Sequence, residues 1–391
     1  MAGLVELPVI VATDAGRPAP SCELAGKRLY GTLRSNSGVT SAAATTRTAV
    51  RKDDYVRATD GQPAVSRVEP VGSATRRIWL SRLAVGMAVL LIAAATGLTL
   101  CSLAARWHWA SDLLTHFVVQ GAACSAGSLA LLSLCRRRGL VCLASVLLLI
   151  NLSRIVPLYL AEKPEAEAGP TVRALAANLR RDNREQQRFI DLVRIGRPDF
   201  FVAMETDEVW LRSLQKLSDS YPYSIVQPRE DNFGIAFFSR WPIKGHRVHG
   251  LSQARLPTLV ASLDVRGQEL TVLATHPRPP IGRVRSELRN QQLAEVGTLA
   301  ANLPNPKVIL GDLNITSWSP YFSDLLRRSG MRDGRRGSGV QPSWPALPWL
   351  FRIPIDHTLV SADIHVMHRE LGPAIGSDHR PVVIEFRVRN P

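Results

Sequence analysis

Between residues 78 and 161 the chain carries three successive apolar runs, and no other feature limits its fold so severely. The first, residues 83–105, contains no charged residue. The second, 113–135, has only His116 and Gln120 as polar interruptions beyond hydroxyls, and the third, 139–160, carries Asn151 and Arg154 near its far end. A helix rises about 1.5 Å per residue, so each run is long enough to cross a hydrocarbon layer about 30 Å thick. One such run could be a buried helix of a soluble domain; three in succession predict a membrane region. Gly121, Ala122, Ala123, Ser125, Ala126 and Gly127 would allow close helix contact in the second run, and Arg154 could snorkel to the interface.

Positive charge predicts the orientation. Arg76, Arg77 and Arg82 precede the first run, and Arg136, Arg137 and Arg138 fill the connection between the second and third, whereas the connection at 107–112 has only Arg106 at its edge. Both basic clusters belong on the cytoplasmic side, so an odd number of spans places everything after about residue 161 outside the cytoplasm. Trp107 and Trp109 fit an interfacial belt on that outer side. The expectation is an integral, multi-pass protein of the cell membrane with an extracytoplasmic domain.

On either side of the apolar region the chain changes character. Residues 1–75 are rich in Ala, Thr, Ser, Gly, Pro and Arg without apolar periodicity, which predicts a disordered tail, and the late start of the first apolar run argues against a secretory signal peptide. Residues 162–170 read as a linker. From 171 to 391 strands are expected at 171–177, 199–204, 233–238, 256–264, 269–275, 307–310, 357–361, 364–370 and 381–388, with helices at 184–195, 208–217, 285–303 and 321–329. Several strands follow one another without a helix between them, which argues for an α+β fold of two packed sheets with helices outside.

Charge and cysteine usage narrow the chemistry. A net charge of +15 and a pI near 10.4 permit attraction to nucleic acid or to an anionic membrane surface. Much of the excess is arginine, including Arg180, Arg181, Arg278, Arg283 and Arg335, and arginine suits bidentate phosphate contacts. The five cysteines, Cys22, Cys101, Cys124, Cys135 and Cys142, all precede residue 171, which excludes a disulfide framework or a cysteine zinc site in the C-terminal region.

Polar residues cluster where apolar strands end. Residues 307–310 read as a buried strand, so Asp312 and Asn314 stand where it gives way to a loop. Two apart on an extended segment, they are expected to project to the same side, one as a charged oxygen donor and one as an amide, a pair suited to a hard cation beside phosphate or water. Gly376-Ser377-Asp378-His379-Arg380-Pro381 precedes another apolar strand and adds a carboxylate and an imidazole. Asn178 and Glu205 each follow an apolar strand, as does His276 in Thr275-His276-Pro277. Taken singly, these are ordinary turn residues or, for Glu205, a charge favoured at a helix start.

Asn178, Glu205, Thr275-His276-Pro277, Gly311-Asp312-Leu313-Asn314, Ile355-Asp356-His357 and Ser377-Asp378-His379 occur in this order. Together they resemble the endonuclease/exonuclease/phosphatase superfamily of deoxyribonuclease-like and sphingomyelinase-like phosphoesterases, over roughly residues 170–389. The resemblance implies a four-layer αββα sandwich with active-site loops at one end of the strands. It implies that Asp312 and Asn314 hold the attacking water and the phosphate, that Asp378 helps a metal site, and that His379, paired with Asp356, sits on the phosphate. His276 would act as acid toward the leaving oxygen. Glu205 offers a carboxylate to Mg2+ or Mn2+, with Asn178 beside it as ligand or orienting amide. Asn232, in Asn232-Phe233-Gly234-Ile235, matches a family segment near the substrate; Arg278 and Arg380 are further candidates for substrate binding, and His357 is expected to be structural.

The expected protein is a membrane-anchored, divalent-metal-dependent phosphoesterase that hydrolyses a phosphodiester or phosphomonoester by in-line attack of an activated water. Its substrate class is open among lipid headgroups, nucleic acid and small phosphorylated molecules, and no protein partner is expected. The alternative is a non-catalytic membrane receptor or scaffold, which would bind no metal and tolerate Asp312→Ala or His379→Ala. In the loop 330–354, Trp344, Trp349, Leu350 and Phe351 could rest on lipid headgroups or form a small core of their own.

Overall fold

A computed structural model describes residues 10–11, 72–160 and 169–389. Apart from 10–11, 72–75 and 169–170, the tail expected at 1–75 and the linker expected at 162–170 lie outside the described residues. By its contacts the chain divides into Thr13–Arg77, of which only the opening turns of a helix are described, and a unit holding everything else.

The apolar runs are helical: α1 (Gly72–Leu103), a short α2 (Trp109–Leu114), α3 (Val118–Leu134) and α4 (Arg138–Ile155). Three stretches, Thr75–Leu103, Trp109–Leu134 and Arg138–Leu158, are long and apolar enough to cross a membrane. The second begins earlier than its apolar run, since Trp109 opens α2 instead of lying in a loop, and a 3-10 turn at Thr115–Phe117 separates α2 from α3. His108 caps α2, its Nδ1 accepting from the Ala110 N–H at 3.2 Å. Inside the bundle Asn151 and Ser128 find partners. Asn151 Nδ2 donates to Thr99 Oγ1 (2.8 Å), and Ser128 Oγ donates to Ala88 O (3.0 Å).

The remainder is a sandwich. Its strands are β1 (Ile10–Val11), β2 (Thr171–Asn178), β3 (Phe200–Met204), β4 (Tyr223–Gln227), β5 (Ile235–Ser239), β6 (Ile243–Leu251), β7 (Leu256–Val265), β8 (Gln268–Thr275), β9 (Lys307–Asp312), β10 (Arg332–Asp333), β11 (Asp356–Val360), β12 (Ile364–Leu371) and β13 (Val382–Val388). One sheet has the order β1-β4-β5-β3-β2-β13-β12 and the other β10-β11-β9-β8-β7-β6. Helices α5 (Gln186–Gly196) and α6 (Glu208–Leu214) cover the first sheet; α7 (Arg283–Ala301) and α8 (Pro320–Ser329) cover the second.

Side-chain alternation builds the four layers. In β2, Val172, Ala174 and Ala176 enter the core between the sheets, while Leu175 and Ala177 face α5 and α6; β3 divides likewise between Phe200, Val202 and Met204 and Phe201 and Ala203. Strands buried on both faces read as unbroken apolar runs, which is why these were visible in the sequence. Ser319 caps α8 ahead of Pro320, and Gly330 closes it with φ +66°. The expectations missed β1, β4, β6 and β10, and β1, which pairs with β4, falls in the stretch expected to be a disordered tail. In β6, Gly245, Gly250 and four polar or charged side chains occupy an edge strand with mostly exposed residues, so the apolar signal is absent.

Candidate active site

Strand pairing gathers the polar residues at one end of the sandwich. Parallel β2 and β3 set Asn178 opposite Met204, so Glu205 follows directly beside Asn178. Parallel β8 and β9 align Ala274 with Leu310, which brings His276 to Asp312. Antiparallel β11 places Asp356 opposite Asp312, and antiparallel β13 returns the segment Ser377–His379 to the end of β2. There Ser377 Oγ donates to the Asn178 carbonyl (2.8 Å) and accepts from the His379 N–H (3.1 Å).

Asn178 Nδ2 bridges two carboxylates, donating to Glu205 Oε1 (3.0 Å) and Asp312 Oδ2 (3.2 Å), while its Oδ1 accepts from the Arg180 N–H. It is therefore placed to orient carboxylates. Asp356 Oδ2 accepts from His379 Nδ1 at 2.8 Å, and His379 Nε2 faces Asp312 Oδ2 at 3.6 Å. His276 Nδ1 donates to the Asp312 carbonyl (3.1 Å), leaving Nε2 toward Glu205 Oε1 at 3.7 Å. The Phe233 ring flanks His276 with centroids 5.5 Å apart.

Burial and charge oppose each other in this cluster. Burial disfavours the imidazolium of His379, but Asp356 and Asp312 outweigh it and raise its pKa to about 10. Burial pushes the Asp312 carboxyl up to about 6, with Asp356 adding to the rise and the two histidines opposing it. Burial also opposes ionisation of Asp356, yet His379 holds it below the ordinary carboxylate range. Glu205 lies below its ordinary value because His276, Asn178 and the Arg181 N–H outweigh its burial; His276 is raised, since Glu205 and Asp312 overcome the burial that opposes its charge.

The backbone is strained where the chemistry is concentrated. Glu205 has φ +59° and Asn314 has φ +50°, a region that Asn tolerates and Glu rarely enters. This corrects the expectation that Asp312 and Asn314 share a side through strand alternation. The chain turns after Asp312, the Asn314 N–H donates to Asp312 Oδ1 (2.9 Å) and Asn314 Nδ2 donates to the Pro277 carbonyl (2.9 Å). Two glycines permit the close approaches: a Cβ on Gly311 would lie 1.9 Å from Thr275 O, and one on Gly234 1.8 Å from Thr206 O.

Glu205, His276, Asp312, Asn314, Asp378 and His379 line one cavity of about 280 Å3. Its other walls are Pro279, Pro280, Ile281, Trp344, Ile353 and Ile355, together with Leu113 and His116. Asp356 and Asn178 stand behind it as partners of lining residues. Asp378 Oδ2 accepts from Trp344 Nε1 (3.0 Å). Asp312, Asp356 and His379 offer atoms within 4.8 Å of one another; Asp356 Oδ2 and His379 Nδ1 share a hydrogen bond, while Asp356 Oδ1 has no partner among the described residues. The oxygen donors facing the cavity, Glu205 and Asp378 above all, fit a hard divalent ion that keeps some of its waters.

Three expected contacts lie elsewhere. Arg380 donates through Nε (3.0 Å) and Nη2 (2.7 Å) to the Gly372 carbonyl and does not line the cavity, because its neighbour His379 takes the inward direction at the strand start. Asn232 is exposed with φ +65° and does not line the cavity, while the adjoining Phe233 packs against His276. Arg278 stacks on the Phe233 ring, 5.0 Å from its centroid, outside the cavity lining. His357 is structural: Nε2 pairs with the Ile315 carbonyl at 2.7 Å. Part of the arginine excess is internal as well, since Arg335 is fully buried and paired with Asp333 at 3.0 Å. Sequence reasoning missed Leu113 and His116. The available signal was a polar residue inside an apolar run, which marks function more often than chance.

The profile of the endonuclease/exonuclease/phosphatase family matches residues 172–379. No curated protein matches the chain. Among solved structures, an endonuclease/exonuclease/phosphatase from Beutenbergia cavernae is similar at 20% identity, covering 56% of this chain and 72% of its own, with a TM-score of 0.47. TDP2 of D. rerio, complexed with a single-strand DNA product, is similar at 16% identity over 56% of this chain and 99% of its own (TM-score 0.49). The human Nocturnin catalytic domain with bound sulfate is similar at 17% identity, 56% and 94% coverage, and a TM-score of 0.46.

Proposed function

Since this chain belongs to the endonuclease/exonuclease/phosphatase family, we propose that it is a membrane-anchored phosphoesterase that works with Mg2+ or Mn2+. The observation that carries the reading is the cavity in which Glu205, His276, Asp312, Asn314, Asp378 and His379 meet at one end of both sheets. Scattered turn residues have no reason to converge in this way.

The reading gives each residue a task. Glu205 and Asp378 would hold the divalent ion, which would supply charge to offset the phosphoryl oxygens. His379, held protonated by Asp356, donates to a phosphoryl oxygen. Asp312, with a pKa near neutrality, takes a proton from water positioned with the help of Asn314. His276, protonated beside Glu205, gives a proton to the leaving oxygen. Asn178 keeps the Glu205 and Asp312 carboxylates apart and oriented.

Membrane anchoring and an extracytoplasmic domain are supported by charge and by where the helices meet the sandwich. The end of α1 joins it through Arg106 and Asp324 (2.9 Å), α2 through Asp112 and Arg289, and the end of α4 through Arg154 Nη2 and the Trp318 carbonyl (3.1 Å). Arg76, Arg77, Arg82 and Arg136 to Arg138 occupy the opposite helix ends, the arrangement of a domain on the far side from the cytoplasm.

The test is hydrolysis of bis(p-nitrophenyl) phosphate by the full chain in detergent with Mg2+. Asp312→Asn and His379→Ala are each expected to lower kcat about 100-fold or more in protein that still unfolds cooperatively, although His379→Ala should also lower the unfolding temperature because Asp356 stays buried without its partner. Equal rates in parent and variants would place the chemistry elsewhere or nowhere.

A further inference from the structure

Two residues of the catalytic cavity, Leu113 and His116, come from the helical segment ahead of α3 and not from the sandwich. Both lie in the second membrane-length stretch, Trp109–Leu134. His116 is 6% exposed, and its Nε2 has no hydrogen-bond partner among the described residues. Among the described lining residues only His116 has a buried polar side-chain atom left unpaired, a costly arrangement that occupation of the cavity would offset. The segment is fixed there. Asp112 pairs with Arg289 and accepts from Ser319 Oγ (2.5 Å), and Thr316 Oγ1 donates to the Thr115 carbonyl (3.4 Å).

The cavity rim is apolar and adjoins the helices. Ile281 lines the cavity and is 69% exposed, and Trp349, Leu350 and Phe351, in the loop between the lining residues Trp344 and Ile353, are each more than half exposed. Gln120 Nε2 donates to the Leu350 carbonyl (3.1 Å) and the Arg352 carbonyl (3.3 Å), which fixes this loop beside the first turn of α3. Exposed aromatic and aliphatic side chains at the end of a membrane-length helix suit the headgroup and acyl boundary.

We propose that the membrane helices complete the catalytic pocket, with His116 contacting the substrate, and that the ester enters from the adjoining leaflet as the headgroup of a membrane phospholipid. This rests on the phosphoesterase reading above. The water oxygen bonds to phosphorus, the ester P–O bond breaks and the leaving oxygen takes a proton, so the products are a phosphomonoester and an alcohol. His116 and Leu113 border the headgroup while the rim side chains lie among acyl chains.

The experiment uses the full chain with Mg2+ and three probes: phosphatidylglycerol vesicles, bis(p-nitrophenyl) phosphate and a single-stranded oligodeoxynucleotide. The lipid is expected to be hydrolysed, and the ratio of lipid rate to nitrophenyl ester rate to fall about tenfold or more in His116→Ala and in the surface double variant Leu350→Ser/Phe351→Ser. His116→Gln, which keeps a hydrogen-bonding group, recovers part of that ratio. If His116→Ala does not fold, the surface variant carries the same comparison. Turnover of the nitrophenyl ester without lipid turnover, a preference for the oligonucleotide, or an unchanged ratio overturns this proposal and leaves the phosphoesterase reading standing. No hydrolysis of any probe overturns both.

Discussion

Removing the charge of Asp112 tests how the helices are joined to the catalytic domain. The Arg289 and Asp112 side chains are 0% and 2% exposed, so their ion pair is fully withdrawn from water. Arg289 also donates through Nη1 to the Asn314 carbonyl (2.9 Å) and through Nε to Asn290 Oδ1 (2.7 Å), but neither partner carries charge. Asp112 supplies the balancing negative charge. Taking one partner from a buried pair costs about 3–5 kcal/mol, because the survivor stays buried and uncompensated. Asp112→Leu and Arg289→Met should therefore each lower stability by about that amount, whereas the double variant, with neither charge left, should lose no more than about 2 kcal/mol. The assay is denaturant unfolding of the full chain in detergent micelles, read as a double-mutant cycle. Arg289→Met should also reduce kcat, since the guanidinium steadies the backbone of Asn314. If the double variant costs the sum of the two singles to within about 0.5 kcal/mol, the two charges are not coupled and the reasoning fails.

Two further predictions concern the site. With the His379 pKa raised to about 10 and that of Asp312 to about 6, hydrolysis should rise with pH through about 6 and fall as His276 and His379 lose their protons, the latter at about 10; Asp356→Asn should bring the His379 loss down toward the ordinary imidazole value, and an alkaline limb that does not move would exclude His379 as its source. The same raised pKa makes the His379 contribution to stability complete below pH about 6.5 and lost as pH rises through about 10, which unfolding at graded pH would register. Gly311→Ala sets a methyl against the Thr275 carbonyl and should cost about 3 kcal/mol as β8 and β9 part, with activity lost; a variant as stable and active as the parent would show that the strand ends are more yielding than their geometry indicates.

The sandwich was legible because its central strands are buried on both faces and carry little besides apolar residues, as in Phe200–Met204 and Lys307–Asp312. The site was legible to the extent that its residues stand where such strands end. What sequence could not supply was direction. Arg380 directly follows His379, yet one turns to the cavity and the other to the Gly372 carbonyl. Asn314 joins the site through a left-handed turn and not through strand alternation. The wall formed by Leu113 and His116 stayed hidden because two stretches of chain, each with its own pattern, say nothing about how they dock. Asp112 and Arg289 gave no separate sign either, since a lone charge beside an apolar run ordinarily faces solvent.

The central claim is that side chains from distant parts of the chain form one pocket holding a cation and a phosphate group together. Mn2+ binding to the full chain, followed by electron paramagnetic resonance with and without inorganic phosphate, tests this most directly, because two ligands sharing a pocket alter each other's affinity. Phosphate should tighten Mn2+ binding about tenfold in the parent, and Glu205→Gln should abolish that coupling. Mn2+ affinity that is indifferent both to phosphate and to Glu205→Gln would contradict the account.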